Sequence, residues 1–209
     1  MRRWLQYGGF AAGIVLIVFG VVAIAMGANG RSTVRDNLRQ EQIVGSPDMT
    51  PAAIKAEAAK AGLKGVSFPT CSVAGTTVTT GAEARCFASY MRIHALEASG
   101  GQTYSQMARY ATKDGKGTND AAAALQSSSG QPLDNPGRNV WISETALSTA
   151  LNVSYMADQL ALFGVVVGIA LLLSGIGFIV LAAYGMVRVA ATAVKPVTAQ
   201  AGTSTAATV

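Results

Sequence analysis

LALFGVVVGIALLLSGIGFIVLAAYGM, Leu160 to Met186, is the stretch whose reading decides the fold. It lies in a window of 29 residues between Asp158 and Arg188 that carries no charged side chain, and about 20 apolar residues suffice for a helix to cross the hydrocarbon of a bilayer. Near the other end LQYGGFAAGIVLIVFGVVAIAMGA, Leu5 to Ala28, sits in a second charge-free window, 27 residues from Arg3 to Arg31. The rest of the composition agrees: of 209 residues half are apolar and 13% charged, with a mean hydropathy of +0.35. This is too apolar for a disordered chain or for most cytosolic enzymes. The expectation is a mainly α protein, a hairpin of two transmembrane helices extended into a stalk, with a small, mostly helical extracytoplasmic insert. Its divisions are a cytoplasmic N-terminus over 1–4, spans over 5–28 and 160–187, an external region over 29–159 and a disordered cytoplasmic tail over 188–209. The external region divides into stalk segments 31–44 and 139–159 around an insert, 45–138.

Orientation follows from charge. The short flanks hold Arg2, Arg3, Arg188 and Lys195 and no acid, giving +4, while the long loop holds 12 basic and 11 acidic residues, giving +1. Basic short segments stay cytoplasmic, and long loops cross largely regardless of charge. Both termini are therefore expected inside, with residues 31–158 outside. The pI near 9.4 is read as a topogenic signal; no basic patch with interleaved aromatics marks a nucleic-acid partner. Arg2 and Arg3 ahead of an apolar run resemble a secretory signal, and Ala23-Ile24-Ala25 offers a small-x-small cleavage pattern. The run exceeds the 7–15 residues of a cleaved signal core, which favours an uncleaved anchor.

Cys71 and Cys86 both fall in the external loop with 14 residues between them, where an oxidising compartment makes them a disulfide. Closing a loop of that size contributes roughly 3 kcal/mol by restricting the unfolded chain. A metal or redox pair is the alternative, but the chain has no Cys-x-x-Cys.

Glycine spacing gives the spans a pattern. Gly9, Gly13 and Gly20 are spaced by 4 and 7, and Gly164, Gly168 and Gly175 repeat those intervals. Small residues on one face let helix backbones approach closely in lipid, so the spans are expected to pack against each other or against copies of themselves. Neither span carries an ionisable acid, base or histidine, which speaks against a proton relay or transporter core. Trp4, Tyr7 and Tyr184 fit aromatic belts at the interfaces. Val34, Leu38 and Ile43 after the first span, and Ile142, Ala146, Val153 and Ala157 before the second, keep near-helical spacing and predict that both helices continue outside the membrane.

Within the insert, Thr50-Pro51 opens a helix over PAAIKAEAAKAGL and Gly62 closes it. VSFPTCSVAGTTVTT is read as a small hairpin turning at Ala74-Gly75. From Gly81 to Ala98 a helix aligns Cys86, Tyr90, Ile93 and Glu97 beside Phe87, Met91 and His94, and Ser99-Gly100-Gly101 ends it. Tyr104 to Ala111 is expected to be a further helix, Asn119-Asp120 caps AAAAL, and Ser127 to Arg138 is a loop.

Catalytic patterns are missing: no GxSxG, P-loop, GxGxxG after a strand or HExxH occurs. His94 is the only histidine, and its apolar face favours a half-buried, hydrogen-bonded residue over a metal ligand. Glu97, with Glu83 or Asp114, could group as carboxylates, although dispersed acids usually form a solvated face. Asn152-Val153-Ser154 matches a glycosylation sequon close to the membrane. No cofactor is expected.

RNVWISETALSTALNVSYMADQLALFGVVVGIALLLSGIGFIVL, together with CFASYMRIHALEASGGQTYSQMARY, resembles a family of small actinobacterial two-span membrane proteins of unknown function, over all but about the last 14 residues. Some members of that family carry the label of aromatic ring-opening dioxygenase. Such enzymes hold non-haem iron with histidines and a carboxylate, which one histidine cannot supply, so the resemblance implies an actinobacterial envelope and not that chemistry. The functional expectation is a non-catalytic envelope protein that presents a disulfide-stapled domain for self-assembly or as an accessory subunit of a membrane complex. Its partners would be the lipid bilayer and itself or another membrane protein. The alternative is an extracytoplasmic ligand-binding or sensory module working with a partner, and an enzyme comes third.

Overall fold

The computed structural model describes residues 2–193. Of the expected disordered tail, 188–209, residues 188–193 continue a helix instead, their backbone hydrogen bonds carrying on from the span, and those from 194 on, with Lys195, lie outside the described residues. The chain is mainly helical: α1 (Arg2–Gln40), α2 (Pro51–Lys60), α3 (Gly81–Ala98) and α4 (Pro136–Ala193), with a single 3-10 turn at Ala121–Ala123 and no strand among the described residues. α1 and α4 are both long and apolar enough to cross a membrane. Contacts divide the chain into two compact units, one made of Met1–Ala25 and Val165–Val209, the other of Met26–Gly164.

In the first unit α1 and α4 meet backbone to backbone. A Cβ added at Gly13 would lie 2.8 Å from the Gly175 carbonyl oxygen, and one at Gly175 would lie 2.7 Å from that of Gly13. Gly20 and Gly168 form the same reciprocal pair, each 2.7 Å from the other's oxygen by that measure. Both pairs lie within one chain. As the number rises along α1 it falls along α4, and a spacing of seven, close to two turns, brings both pairs into register. A Cβ added at Gly9 would lie 3.2 Å from the Ala182 methyl, while Gly164, numbered in the second unit, is half-buried. Away from these faces Ile14, Val18, Phe19, Val166, Leu173, Val180 and Leu181 are exposed. So broad an apolar surface needs a non-aqueous covering.

The second unit is organised around α3. Thr80 caps its first turn, its hydroxyl accepting from the Glu83 N–H at 3.3 Å, while Glu83 Oε2 accepts from the N–H groups of Thr79 at 2.8 Å and Thr80 at 2.9 Å. This reciprocal capping box matches Thr-Gly-Ala-Glu in the sequence. At the other end the Gly100 N–H donates to Glu97 O and the Gly101 N–H to Leu96 O. With both glycines at positive φ, these bonds satisfy carbonyls the helix leaves free. α2 ends in the same way through Gly62 and Leu63 and begins with the Thr50 hydroxyl accepting from the Ala53 N–H.

Three buried clusters line α3. Cys86, Tyr90 and Ile93 pack with Met49, Ile54, Ala58 and Val73. Ala84 and Ala88 meet Leu38 and Leu151 from the long helices and Val78 from the segment before α3. Ala95 joins Met107 and Trp141, whose indole N–H donates to Gln102 O at 2.8 Å and to Ser99 Oγ at 3.1 Å. At one end of this unit Arg31 Nε donates to the Asp158 carboxylate at 3.0 Å, with Asp158 buried.

Three sequence expectations are corrected. The segment around Ala74-Gly75 turns as read, the Thr76 N–H donating to Val73 O, but its arms do not pair with each other. They pair with the chain leaving α1: the Val78 N–H donates to Ile43 O, Gly45 N–H to Thr76 O, Gly75 N–H to Gly45 O and Val73 N–H to Met49 O. Pro69 in the first arm lacks an N–H, and Cys71 is held by α3, so that arm is not free to form a ladder. Gly45 is needed here because an added Cβ would fall on the Val73 carbonyl. Secondly, Tyr104 to Ala111 is not a helix. Tyr110 exchanges both backbone hydrogen bonds with Thr118, and the Ala111 N–H donates to Leu133 O, so non-local pairing takes the groups a helix would use. Asp120 caps only the short 3-10 turn. Thirdly, α4 begins at Pro136, inside the expected loop, where Asn135 Oδ1 accepts from the Gly137 N–H at 3.0 Å and proline takes the first helical position.

The capping box yields a pH prediction. Burial alone would raise the Glu83 pKa, but the hydrogen bonds from Thr79 and Thr80 outweigh it and hold the carboxyl below its ordinary range. A depressed folded pKa stabilises above the ordinary glutamate value of about 4.3 and loses that contribution as pH falls through the folded value. Glu83→Gln should therefore cost about 0.5–2 kcal/mol at neutral pH, the usual magnitude for a cap. The difference from the parent should shrink as the pH is taken well below 4. Denaturation curves of both proteins across that range check it, and a gap that does not change with pH would refute it.

Candidate functional site

Cys71 and Cys86 are joined in a disulfide with a Cα–Cα distance of 6.1 Å. It ties the first turns of α3 to the irregular segment before it. Tyr90, one turn further along α3 and fully buried, donates its hydroxyl hydrogen to Cys71 O at 2.6 Å. Burial pushes the Tyr90 phenol up from its ordinary pKa, which keeps it a neutral donor. Disulfide and hydrogen bond thus fix the same segment at two successive turns.

On the rim of this core lies the histidine–carboxylate cluster of the described residues: His94, Asp48 and Glu57. His94 follows the buried Ile93 on α3. Glu57 precedes the buried Ala58 on α2. Asp48 sits in the tight connection into α2, where the Met49 N–H donates to Ser46 O at 3.0 Å and the Thr50 N–H to Asp48 O at 2.7 Å. Met49 is buried and its carbonyl accepts from Val73 N–H and Ser72 Oγ, so the backbone carrying Asp48 is held on both sides.

His94 Nε2 lies 2.8 Å from Asp48 Oδ2 and 3.9 Å from Glu57 Oε2, and one ligand atom from each of the three falls within 4.8 Å of the others. The imidazole as a whole is half-buried, yet Nε2 is closed off from solvent and makes no aligned hydrogen bond. The Asp48 carboxyl is held below its ordinary pKa by a hydrogen bond from the Ser46 side chain, which with its own backbone N–H and with the charge and hydrogen bonding of His94 outweighs a modest burial cost. It is a carboxylate at neutral pH and offers acceptor lone pairs to whatever fills the cluster.

His94 is half-buried as expected and its Nε2 stands 2.8 Å from Asp48 Oδ2, but its acidic neighbours are not those named from the sequence. Glu97 is exposed on α3, Glu83 caps that helix, and Asp114 is engaged with Thr112 and Lys116 in a separate turn. Asp48 and Glu57 lie 46 and 37 residues before His94, and only the packing of α2 on α3 brings them to it. Their one linear signal is proximity to Thr50-Pro51 and to the Ile54/Ala58 stripe, which places both beside a buried face. On its other side His94 borders an open groove with Met91, Ala95, Val140 and Glu144. Comparison with protein-family models, with curated proteins and with solved structures finds no match to this chain.

Proposed function

We propose that this chain is an integral membrane protein of a bacterial cell envelope, actinobacterial by the resemblance given above. In this reading α1 and α4 form a two-span hairpin, and their continuations act as a stalk that holds the disulfide-braced unit outside. Its role is non-catalytic, the presentation of that domain to a membrane partner or to further copies of itself. The observation that carries the reading is the coincidence of two charge-free windows with the exposed apolar faces of α1 and α4, a surface that lipid covers and water does not. Length supports the stalk, since a helix of 58 residues is about 87 Å long at 1.5 Å per residue, against a hydrocarbon thickness of about 30 Å. Because Gly13, Gly20, Gly168 and Gly175 are used within the chain, association with a partner falls to the remaining apolar faces or to the external unit.

Topology is the direct test. In a variant lacking Cys71 and Cys86, a cysteine introduced by Ser128→Cys should react with a membrane-impermeant maleimide in intact cells. One introduced by Ser204→Cys should react only after permeabilisation. The opposite pattern would overturn the orientation, and labelling of both positions in intact cells would overturn the two-span arrangement. A second reading, an external ligand-binding module that works with a partner, is favoured by the cluster at His94.

A further inference from the structure

From the geometry at His94, Asp48 and Glu57 we infer a binding site for a divalent transition-metal ion of the zinc class, with one imidazole and two carboxylates as ligands and the remaining position open to solvent. This inference concerns the second unit alone and does not depend on which side of a membrane that unit occupies.

The donor set comes first. Zinc accepts both imidazole nitrogen and carboxylate oxygen as ligands, whereas calcium and magnesium sites are built from oxygen alone. Distances come next. Ligands about 2.0–2.1 Å from a tetrahedral ion stand about 3.3–3.4 Å from one another. The two separations from His94 Nε2, 2.8 and 3.9 Å, bracket that edge. The third pair lies within 4.8 Å, a gap that rotation of the glutamate side chain would close.

Direction separates a metal site from an ordinary ion pair. In a histidine–aspartate pair the ring N–H points at the carboxylate oxygen. In a coordination sphere the ion takes the place on the ring axis, and the oxygens stand to the side of it. At His94 the Nε2 atom is shielded from water and has no aligned hydrogen-bond partner, although Asp48 Oδ2 stands 2.8 Å away. A shielded polar atom without an aligned partner is costly unless something occupies that axis.

Support beneath the ligands is the last element. Asp48 rides on a connection pinned through Met49. Glu57 and His94 project beside Ala58 and Ile93, members of a single buried cluster that also contains Cys86. The three donors therefore come from three segments locked together by the disulfide and the core, so little ordering is left for the ion to impose.

The test uses the full-length, untagged protein in mild detergent after chelator treatment, with Zn2+ alone as the probe. Titration calorimetry should give one ion per chain, and Zn2+ should raise the melting temperature by stabilising the folded state. His94→Gln and Glu57→Gln should each weaken binding by at least about tenfold, while Glu97→Gln, on the same helix but outside the cluster, should bind as the parent does. Co2+ in place of Zn2+ should give a visible absorption band of tetrahedral intensity in the parent and not in His94→Gln. Melting in the presence of chelator shows whether each variant is folded, and because Glu57 lies at the rim its variant keeps the test decisive if His94→Gln does not fold. Failure of the parent to retain Zn2+, or binding of equal strength in parent and Glu57→Gln, overturns the site.

Discussion

Gly168→Leu should disrupt the packing of α1 on α4, while Val166→Leu, two residues away on the same helix, should leave it intact. A Cβ at position 168 meets the Gly20 carbonyl oxygen at 2.7 Å, the Ile24 nitrogen at 2.9 Å and the Ile24 Cγ1 at 2.8 Å. The first two obstacles are backbone and cannot turn aside as a side-chain tip would, so the helices must separate. Losing one close interhelical contact in lipid costs about 1 kcal/mol, and overpacking adds about 1–3 kcal/mol. Together they predict a destabilisation of about 2–4 kcal/mol. Val166 is exposed, and leucine there only enlarges an apolar surface that already faces outward. Unfolding in detergent mixed with increasing SDS reads the difference. Midpoints equal to the parent's in both variants would remove the close-packing account.

Cys86→Ser should be comparably severe and should act on the other unit. The disulfide closes a loop of 14 intervening residues, and loss of a native disulfide from a small domain typically costs 2–5 kcal/mol. Cys86 is also buried beside Tyr90 and Ile93, so the substitution leaves a hydroxyl in an apolar place where it gains little. Reductant should lower the stability of the parent toward that of the variant and leave the variant unchanged, as followed by the fluorescence of the buried Trp141 during denaturation. Two freely alkylated thiols in protein isolated without reductant would defeat this prediction. The Tyr90 hydrogen bond to Cys71 O should persist in Cys86→Ser and confine the loss to the cross-link and its immediate packing.

What the sequence disclosed and what it withheld divide along physical lines. The long apolar helices were legible because lipid imposes a length and a polarity that need no knowledge of tertiary contacts, and α2 and α3 because Thr50-Pro51, Gly62 and the glycines after Ser99 are local stop and start signals. Tyr104 to Ala111 misled because its periodicity is that of a helix, while the competing partners, Thr118 and Leu133, are supplied from far along the chain. The same holds for the segment around Gly75, where β-branched residues announced pairing but not with whom. At the candidate site His94 stood out by being alone, yet Asp48 and Glu57 are ordinary surface acids until α2 packs on α3. The matched glycine intervals showed that two faces could meet. Which glycine would oppose which depends on the antiparallel register, and a spacing pattern does not contain it.

Arg31 and Asp158 are the first charges met on leaving the two apolar windows, and they are bonded to each other at 3.0 Å. In the proposed topology this makes them a depth stop. Sliding either helix inward by one turn, 5.4 Å, would draw a charge and its partner toward hydrocarbon, at a cost that reaches about 2.5–3.5 kcal/mol for a single charge at the bilayer centre. Sliding outward would bring apolar residues into water. In that topology a piston stroke along the membrane normal would be resisted in both directions, and a mechanical message carried by α1 and α4 would travel more readily as rotation or tilt of the two helices together.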